Sequence, residues 1–243
     1  MIAVPGGPRG GDRTPRPGPH AVNKWLTGSV TADPAQVITA AFDQAHARDP
    51  ARARTWVVLV DGAWHQIELI EAEAARRGID IGIVVDLIHC IEYLWGAARC
   101  FHAVDDPATE DWVAARVLGL LAGRVHAVAD AIETQATAAG LEGQGRRGAD
   151  DAVRYLRGHA DYLRYDTALE RGWPIATGVV EGAVRHVIGD RLDIGGARWG
   201  LVGAEAVLLL RALIQNGDFP SYWVFHLARE HQRVHPGDHQ LAA

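Results

Sequence analysis

The chain has 243 residues, of which 48% are hydrophobic, so it is long enough to bury one sizeable core. Its formal charge of -6 and pI of about 6.0 exclude a uniformly basic protein that wraps nucleic acid, and any DNA contact must come from local basic patches. The two cysteines, Cys90 and Cys100, lie in apolar sequence and give neither a disulfide framework nor a zinc knuckle. With no membrane-spanning run and no signal peptide, the composition predicts a cytoplasmic protein without a membrane partner.

The first elements are a disordered segment, a strand and a helix. Residues 1–22 are rich in Gly, Pro and Arg and have almost nothing to bury, which is typical of disorder. The segment KWLTGSV, residues 24–30, predicts a short strand. Asp33 then has the position of a helix N-cap, with Pro34 in the first turn of a helix that reaches about Arg48.

The next part of the chain predicts a strand–helix–strand–helix unit. Two apolar runs, 56–60 and 79–85, are the strands, and helical spacing follows each of them. The first helix ends at about Arg77 with Gly78 as its C-cap, and the second ends at about His102. Strands joined by a crossover helix imply an α/β fold with a parallel sheet that is covered on both faces and carries function at the carboxyl ends of its strands.

The rest of the chain predicts helices. Apolar residues recur at helical spacing from 107 to 170, with a polar break at 140–148 and a helix that runs through Tyr155 and Leu163. Breakers at 172–178 precede a stretch that begins at Val179, and another helix covers about 201–213. We therefore divide the chain into a disordered segment (1–22), an α/β part (23–106), a helical part (107–170) and C-terminal helices (171–243).

Three acids have positions that suit a metal site: Asp61 and Asp86 follow the two predicted strands, and Glu181 begins a predicted helix. Carboxylates brought to about 4 Å repel by roughly 4 kcal/mol at an effective dielectric of about 20, so a cluster takes up a proton or recruits a cation. Mg²⁺, or Mn²⁺ in its place, prefers such oxygen ligands. A pair of these ions clamps the attacking and leaving oxygens of a phosphodiester.

Each acid also has a structural interpretation, and taken singly that interpretation is favoured. An Asp-Gly pair after a strand is often only a turn, and an acid at a helix start compensates the helix dipole. Asp86 and His89 are one helical turn apart and either ligate a metal or cap the helix, and the spacing alone favours the cap. Glu181 and Arg185 have the spacing of an exposed ion pair.

Two long blocks carry a family resemblance: LVDGAWHQIELIEAEAARRGIDIGIVVDLIHCIEYLW (59–95) and GWPIATGVVEGAVRHVIGDRLDIGGARWG (172–200). Together they resemble the Kra-type family of bacterial insertion-sequence transposases, which is related to the Mutator-like group. The resemblance extends from about Lys24 through NGDFPSYWVFHLAREHQRVH, and it is specific because long ordered strings match. It implies cleavage and strand transfer at insertion-sequence ends, with double-stranded DNA as partner and association between copies.

The resemblance further implies a ribonuclease H-like fold with an Asp, Asp, Glu triad and a helical insertion before the Glu. It puts the second Asp at Asp61 and the Glu at Glu181, both as metal ligands, and the insertion at 107–170. The family's Asp-x-x-His element matches Asp86 and His89, whose implied role is structural or close to the cleaved strand. An alternative alignment makes Asp86 the second catalytic acid.

The second block also contains residues suited to phosphate contact or base stacking near the transposon end. They are Arg185, His186, Arg191, Arg198 and Trp199. An internally paired helix is the alternative interpretation. The block departs from the family at Val184, where a Cys is expected, and at Gly189, where a Lys is expected, and the second change puts a poor helix former in a helix.

The family's first catalytic Asp has no evident counterpart, because the acid upstream of KWLTGSV is Asp12, in a stretch that cannot be a core strand. We therefore expect an inactive fragment truncated at its N-terminus. In this fold the first strand lies beside the strand that ends at Asp61, so its loss leaves a hydrophobic, unpaired edge. That edge predicts poor solubility or rescue by a partner chain.

Two other classes of function remain open. A non-catalytic remnant would bind DNA or associate with full-length transposase as a regulator, and the missing acid favours it. A small-molecule α/β enzyme would need a Gly-rich phosphate loop, which Asp61-Gly62-Ala63 is not. The histidines near the C-terminus suit a solvated helix end better than a metal site: His226, His231, His235 and His239.

Overall fold

The computed structural model describes residues 22–176, 178, 188–193, 196 and 198–235. Its elements are, in chain order, α1 (Pro34–Arg48), β1 (Trp56–Val60), α2 (Trp64–Arg77), β2 (Ile81–Val85), α3 (Leu87–Ala98), α4 (Ala108–Leu121), α5 (Val125–Ala138), α6 (Arg147–Gly158), α7 (Tyr165–Glu170), one turn at Asp190–Leu192, α8 (Leu201–Asn216) and α9 (Phe219–Val234). Short 3₁₀ turns cover Gly143–Gly145 and Ala160–Tyr162. The described chain is thus mixed α/β with helices dominant, and none of these helices is long and apolar enough to cross a membrane.

The first two helices begin and end where their capping residues predict. A carboxylate oxygen of Asp33 accepts from the Ala35 amide at 2.8 Å, and the Gln36 side chain accepts in return from the Asp33 amide at 3.1 Å. This reciprocal pair satisfies two amides that the helix itself leaves without partners. At the end of α2, Gly78 adopts a φ of 59°, a left-handed conformation that favours glycine.

The two strands are parallel, as predicted, with Trp56 opposite Ile81 and Val60 opposite Val85. Helix α2 is the crossover between them. The second strand begins at Ile81 and not at Ile79, because the Ile79 amide donates to the carbonyl oxygen of Ala74 in the C-cap of α2. The C-cap of α2 therefore uses the Ile79 amide, which would otherwise be available for pairing with β1.

The outer edge of β1 pairs with no strand in the described part of the chain. An apolar groove of about 480 Å³ runs along it, between β1 and the Val37–Ala45 face of α1. Residues 56–59 are consequently only half-buried. The expected hydrophobic, unpaired edge is therefore present among the described residues.

The prediction of a strand at KWLTGSV is wrong. This segment has no regular secondary structure, and its backbone bonds to side chains of α8 and not to a neighbouring strand. The Leu26 amide donates to Asn216 Oδ1 at 2.7 Å, and Asn216 Nδ2 donates back to the Leu26 carbonyl at 2.9 Å. The Val30 amide donates to the carboxylate of Glu205 at 2.7 Å. Side-chain partners satisfy the backbone without a ladder.

Residues 107–170 are helical, as predicted, and they share one buried core with the sheet and α3. At its centre, the fully buried Tyr165 donates from its hydroxyl to the Val85 carbonyl at 2.9 Å. The expected single helix through 155–163 is wrong, because α6 ends at Gly158 and a 3₁₀ turn follows. Cys90 is buried, and burial raises the pKa of its thiol to about 12, which keeps it protonated and unreactive, whereas Cys100 is half-buried.

Ion pairs to the buried Glu73 on α2 make the fold sensitive to acid. Glu73, of which 8% is exposed, accepts from Arg76 and Arg77 at 2.7 Å each. These hydrogen bonds, with that from Arg76 the strongest, lower its pKa from 4.5 to about 2. As the pH falls, the unfolded chain takes up this proton first. The stabilisation from Glu73 is therefore complete above about pH 4.5 and is lost as the pH falls to about 2.

We expect Glu73→Gln to flatten the fall in unfolding free energy between pH 5 and pH 2, which urea titrations at a series of pH values would measure. Glu68→Gln, an exposed position on the same helix, is the matched control and should leave the slope unchanged. Equal slopes for the two variants would contradict this account of Glu73.

Candidate active-site cleft

Asp61 lies directly after β1, at the carboxyl end of the sheet. Its Oδ1 accepts from the Ala63 amide at 2.9 Å, and its side chain is exposed. Gly62 follows with a φ of 94°, and a Cβ at that position would lie 2.4 Å from Tyr155 Oη. Only glycine fits both the backbone conformation and the close approach, so the Asp-Gly pair is a turn, and the turn leaves the carboxylate at the surface.

Asp86 has the corresponding position after β2 but a different environment. Its amide donates to the Val60 carbonyl at 2.7 Å, which joins the two strand ends. Its Oδ1 accepts from the Ile88 amide at 2.7 Å, so Asp86 is the N-cap of α3, and only 2% of the residue is exposed. The cap that the spacing favours is confirmed.

His89 belongs to the exposed side of the same helix. Its Nδ1 lies 3.3 Å from Oε2 of Glu92, one turn further along α3. Asp86 instead directs an oxygen at the helix backbone. The spacing of the Asp-x-x-His element therefore puts a capping carboxylate and a surface histidine on one turn.

A cleft of about 480 Å³ opens where β1, α3 and α6 meet. Its side-chain lining includes Asp61, His89, Glu92, Tyr93, Asp151 and Tyr155. The structure thus brings together two of the predicted site residues, Asp61 and His89, whereas Asp86 does not line the cleft. Three carboxylates line it: Asp151 is ion-paired with Arg147 and Arg154, Glu92 lies beside His89, and Asp61 has no basic partner among the described residues.

The other predicted site residues fall into two groups. Glu181, Arg185 and His186 lie outside the described residues, as does Val184. Arg191, Arg198 and Trp199 are described and exposed, and none of them lines the cleft. Within the described ranges no group of three His, Cys, Asp or Glu side chains is close enough to hold a metal ion.

Tyr155 is one of the cleft residues that the sequence does not indicate, as are Glu92, Tyr93 and Asp151. Its hydroxyl donates to the backbone carbonyl of Asp61 at 3.0 Å, and its ring stacks on Tyr93 with 4.0 Å between centroids. Burial raises the pKa of Tyr155, which keeps the hydroxyl protonated as a donor. Sequence spacing contains no indication of this contact, because the two residues are 94 positions apart.

The histidines of the C-terminal helix form no metal site within the described part of the chain. The His226 ring stacks on Tyr222, and the rings of His231 and His235 are 4.8 Å apart. His239 lies outside the described residues. His231 and His235 are exposed, and His226 is half-buried.

Comparisons of the chain with protein-family models, curated proteins and solved structures found no match.

Proposed function

We propose that the chain acts in DNA transposition, as part of an enzyme that cleaves and joins phosphodiesters at insertion-sequence ends with a divalent metal ion. The observation that carries the proposal is the cleft at the carboxyl end of the sheet. There Asp61, the residue that the resemblance matches to a catalytic acid, is exposed and lines the same cleft as His89 of the matched Asp-x-x-His element. Of the carboxylates that line the cleft, Asp61 has no basic partner among the described residues, which suits it to bind a cation.

The architecture supports this proposal. Two parallel strands joined by a crossover helix, with acids after both, are compatible with part of a ribonuclease H-like core. The helical segment 107–170 occupies the chain position of the family's insertion, and its helix α6 contributes Asp151 and Tyr155 to the cleft. The insertion would therefore shape the active site and not only extend from it.

The cation would be Mg²⁺ or Mn²⁺, held by Asp61 together with Glu181. The Asp61 carboxylate accepts one hydrogen bond, from Ala63, and a carboxylate has about four lone-pair sites, so it keeps the capacity to ligate a hard cation. Such an ion supplies charge stabilisation to the attacking and leaving oxygens. Asp86 fits this role less well, since its buried carboxylate caps α3.

The apolar groove along β1 supports the remaining part of the proposal. The family's triad needs one more acid, on a strand beside the strand that ends at Asp61. The outer edge of β1 offers backbone groups for such a strand, and the groove offers apolar contact for its side chains. We therefore propose that this chain alone is inactive and that a further strand completes the site.

The test is nicking and strand transfer on a labelled insertion-sequence-end duplex with Mg²⁺ or Mn²⁺. The chain alone is compared with a chain extended upstream by a segment that supplies the first acid. We expect only the extended chain to cut, and Glu181→Ala to abolish cutting. Cutting by the short chain would contradict the incomplete site, and the absence of cutting by both would contradict the transposase.

A second candidate is a regulator that binds DNA without cutting it. The exposed Arg191, Arg198 and Trp199, which lie outside the cleft, favour it, because Arg forks match phosphates and indoles stack on bases. Electrophoretic mobility shifts on the same duplex distinguish the two. A regulator binds the duplex while both the short and the extended chain fail to cut.

A further inference from the structure

The turn that carries Asp61 is held from α6 by two side chains. Tyr155 donates from its hydroxyl to the Asp61 carbonyl at 3.0 Å. One helical turn later, Nε2 of His159 lies 2.9 Å from the Gly62 carbonyl oxygen. The consecutive carbonyls of Asp61 and Gly62 are therefore hydrogen-bonded by Tyr155 of α6 and by His159 at the end of that helix. These two bonds fix the orientation of the peptide between the carbonyls.

His159 is built into this contact and is not a surface residue. Only 4% of it is exposed, and its Nδ1 lies 2.9 Å from the Tyr155 carbonyl. Its ring stacks on Trp64, with centroids 4.4 Å apart, and lies tilted against Tyr155, with centroids 4.3 Å apart. Both of its hydrogen-bond partners are carbonyl oxygens of the backbone.

Gly62 completes the contact. A Cβ at this position would overlap Tyr155 Oη at 2.4 Å, so the side chain of Tyr155 lies as close to the turn as a glycine allows. The same turn leads directly into α2. The Asp61 carboxylate accepts from the Ala63 amide, and the Ala63 carbonyl accepts from the amides of Gln66 and Ile67 in the first turn of the helix.

We propose that Tyr155 and His159 are positioning residues, which hold the Asp61–Gly62 turn from α6 so that the Asp61 carboxylate stays in the cleft. This inference rests on the proposed catalytic role of Asp61. It gives the helical segment 107–170 a function in the chemistry, since α6 would set the position of an acid that belongs to the sheet. A change in the packing of α6 would then reach the active site directly.

The test has two readouts, of which the first needs no activity. In the chain as it stands, Tyr155→Phe keeps the ring stacking and removes the bond to Asp61. Amide hydrogen exchange at Ala63 and Gln66 should become about 2- to 10-fold faster, the effect of losing one net hydrogen bond, while exchange in α5 stays unchanged. Tyr162→Phe is the matched control, because that hydroxyl donates to the Glu71 side chain and not to the turn.

The second readout is cleavage by the extended chain. A positioning role predicts that Tyr155→Phe lowers kcat about 10-fold or more with little change in KM for DNA. His159→Gln, which keeps a donor, should retain more activity than His159→Leu. Unchanged exchange at Ala63 would overturn the inference. Faster exchange without cleavage by the unsubstituted extended chain would leave the turn contact standing and overturn the proposed function. Faster exchange with an unchanged kcat would overturn the positioning role alone.

Discussion

Gly148→Ala is expected to lower the free energy of unfolding by about 1–3 kcal/mol, because it overpacks the crossing of α3 and α6. A Cβ at Gly148 would lie 2.3 Å from the Gly96 carbonyl oxygen and 2.8 Å from the Gly96 carbonyl carbon. These are backbone atoms of a helix, which cannot rotate away as a side chain can. The two helices would have to separate, and both of them line the cleft.

Gly96→Ala is the matched control at the same crossing. A Cβ at Gly96 meets no atom within 4 Å, and the residue lies inside α3. Alanine is the better helix former, so this variant should be unchanged or more stable by up to about 1 kcal/mol. Urea unfolding should therefore give a lower free energy of unfolding for Gly148→Ala and an equal or higher one for Gly96→Ala. A loss of stability in Gly96→Ala equal to that in Gly148→Ala would contradict this packing.

The sequence predicts the elements whose causes are local. The N-cap at Asp33, the apolar run of β1 and the C-cap at Gly78 each involve residues close together in the chain, and each prediction is confirmed. KWLTGSV fails as a strand because its partners, Glu205 and Asn216, are more than 170 positions away. An extended, partly apolar segment has the same appearance whether a strand or a set of side chains satisfies its backbone.

In the candidate site, too, the features with local causes can be predicted and the contacts between distant residues cannot. Asp61 and Asp86 are predicted at strand ends because the strands are, and both are found there. What the sequence leaves undecided is which of them reaches the cleft, since the exposure of each carboxylate depends on how the helices pack around the strand ends. Tyr155 and His159 contact the Asp61 turn from α6, and no spacing pattern relates residues on elements so far apart in the chain. The acid can thus be predicted, whereas the residues that hold it require the fold.

The second prediction concerns the effect of Asp61 and Asp86 on the rate of DNA cleavage. In the extended chain, Asp61→Asn is expected to lower the rate of DNA cleavage at least about 100-fold, since a metal ligand supplies several kcal/mol of charge stabilisation in the transition state. The substitution keeps an oxygen that can accept from the Ala63 amide, so the turn stays intact. It removes the negative charge and one ligating oxygen, and the loss is therefore catalytic.

Asp86→Asn makes the same change at the other strand end and is the control. Asn and Asp are about equally good N-caps, so the bond to the Ile88 amide should persist. Cleavage should then fall by much less than in Asp61→Asn, because the Asp86 side chain is buried and does not line the cleft. Single-turnover cleavage rates of both variants report the effect of removing the charge, and their urea midpoints report whether the cap persists. If Asp86→Asn abolished cleavage at unchanged stability while Asp61→Asn cut normally, the alternative alignment would be right, and the metal would have to reach a carboxylate beneath the surface of α3.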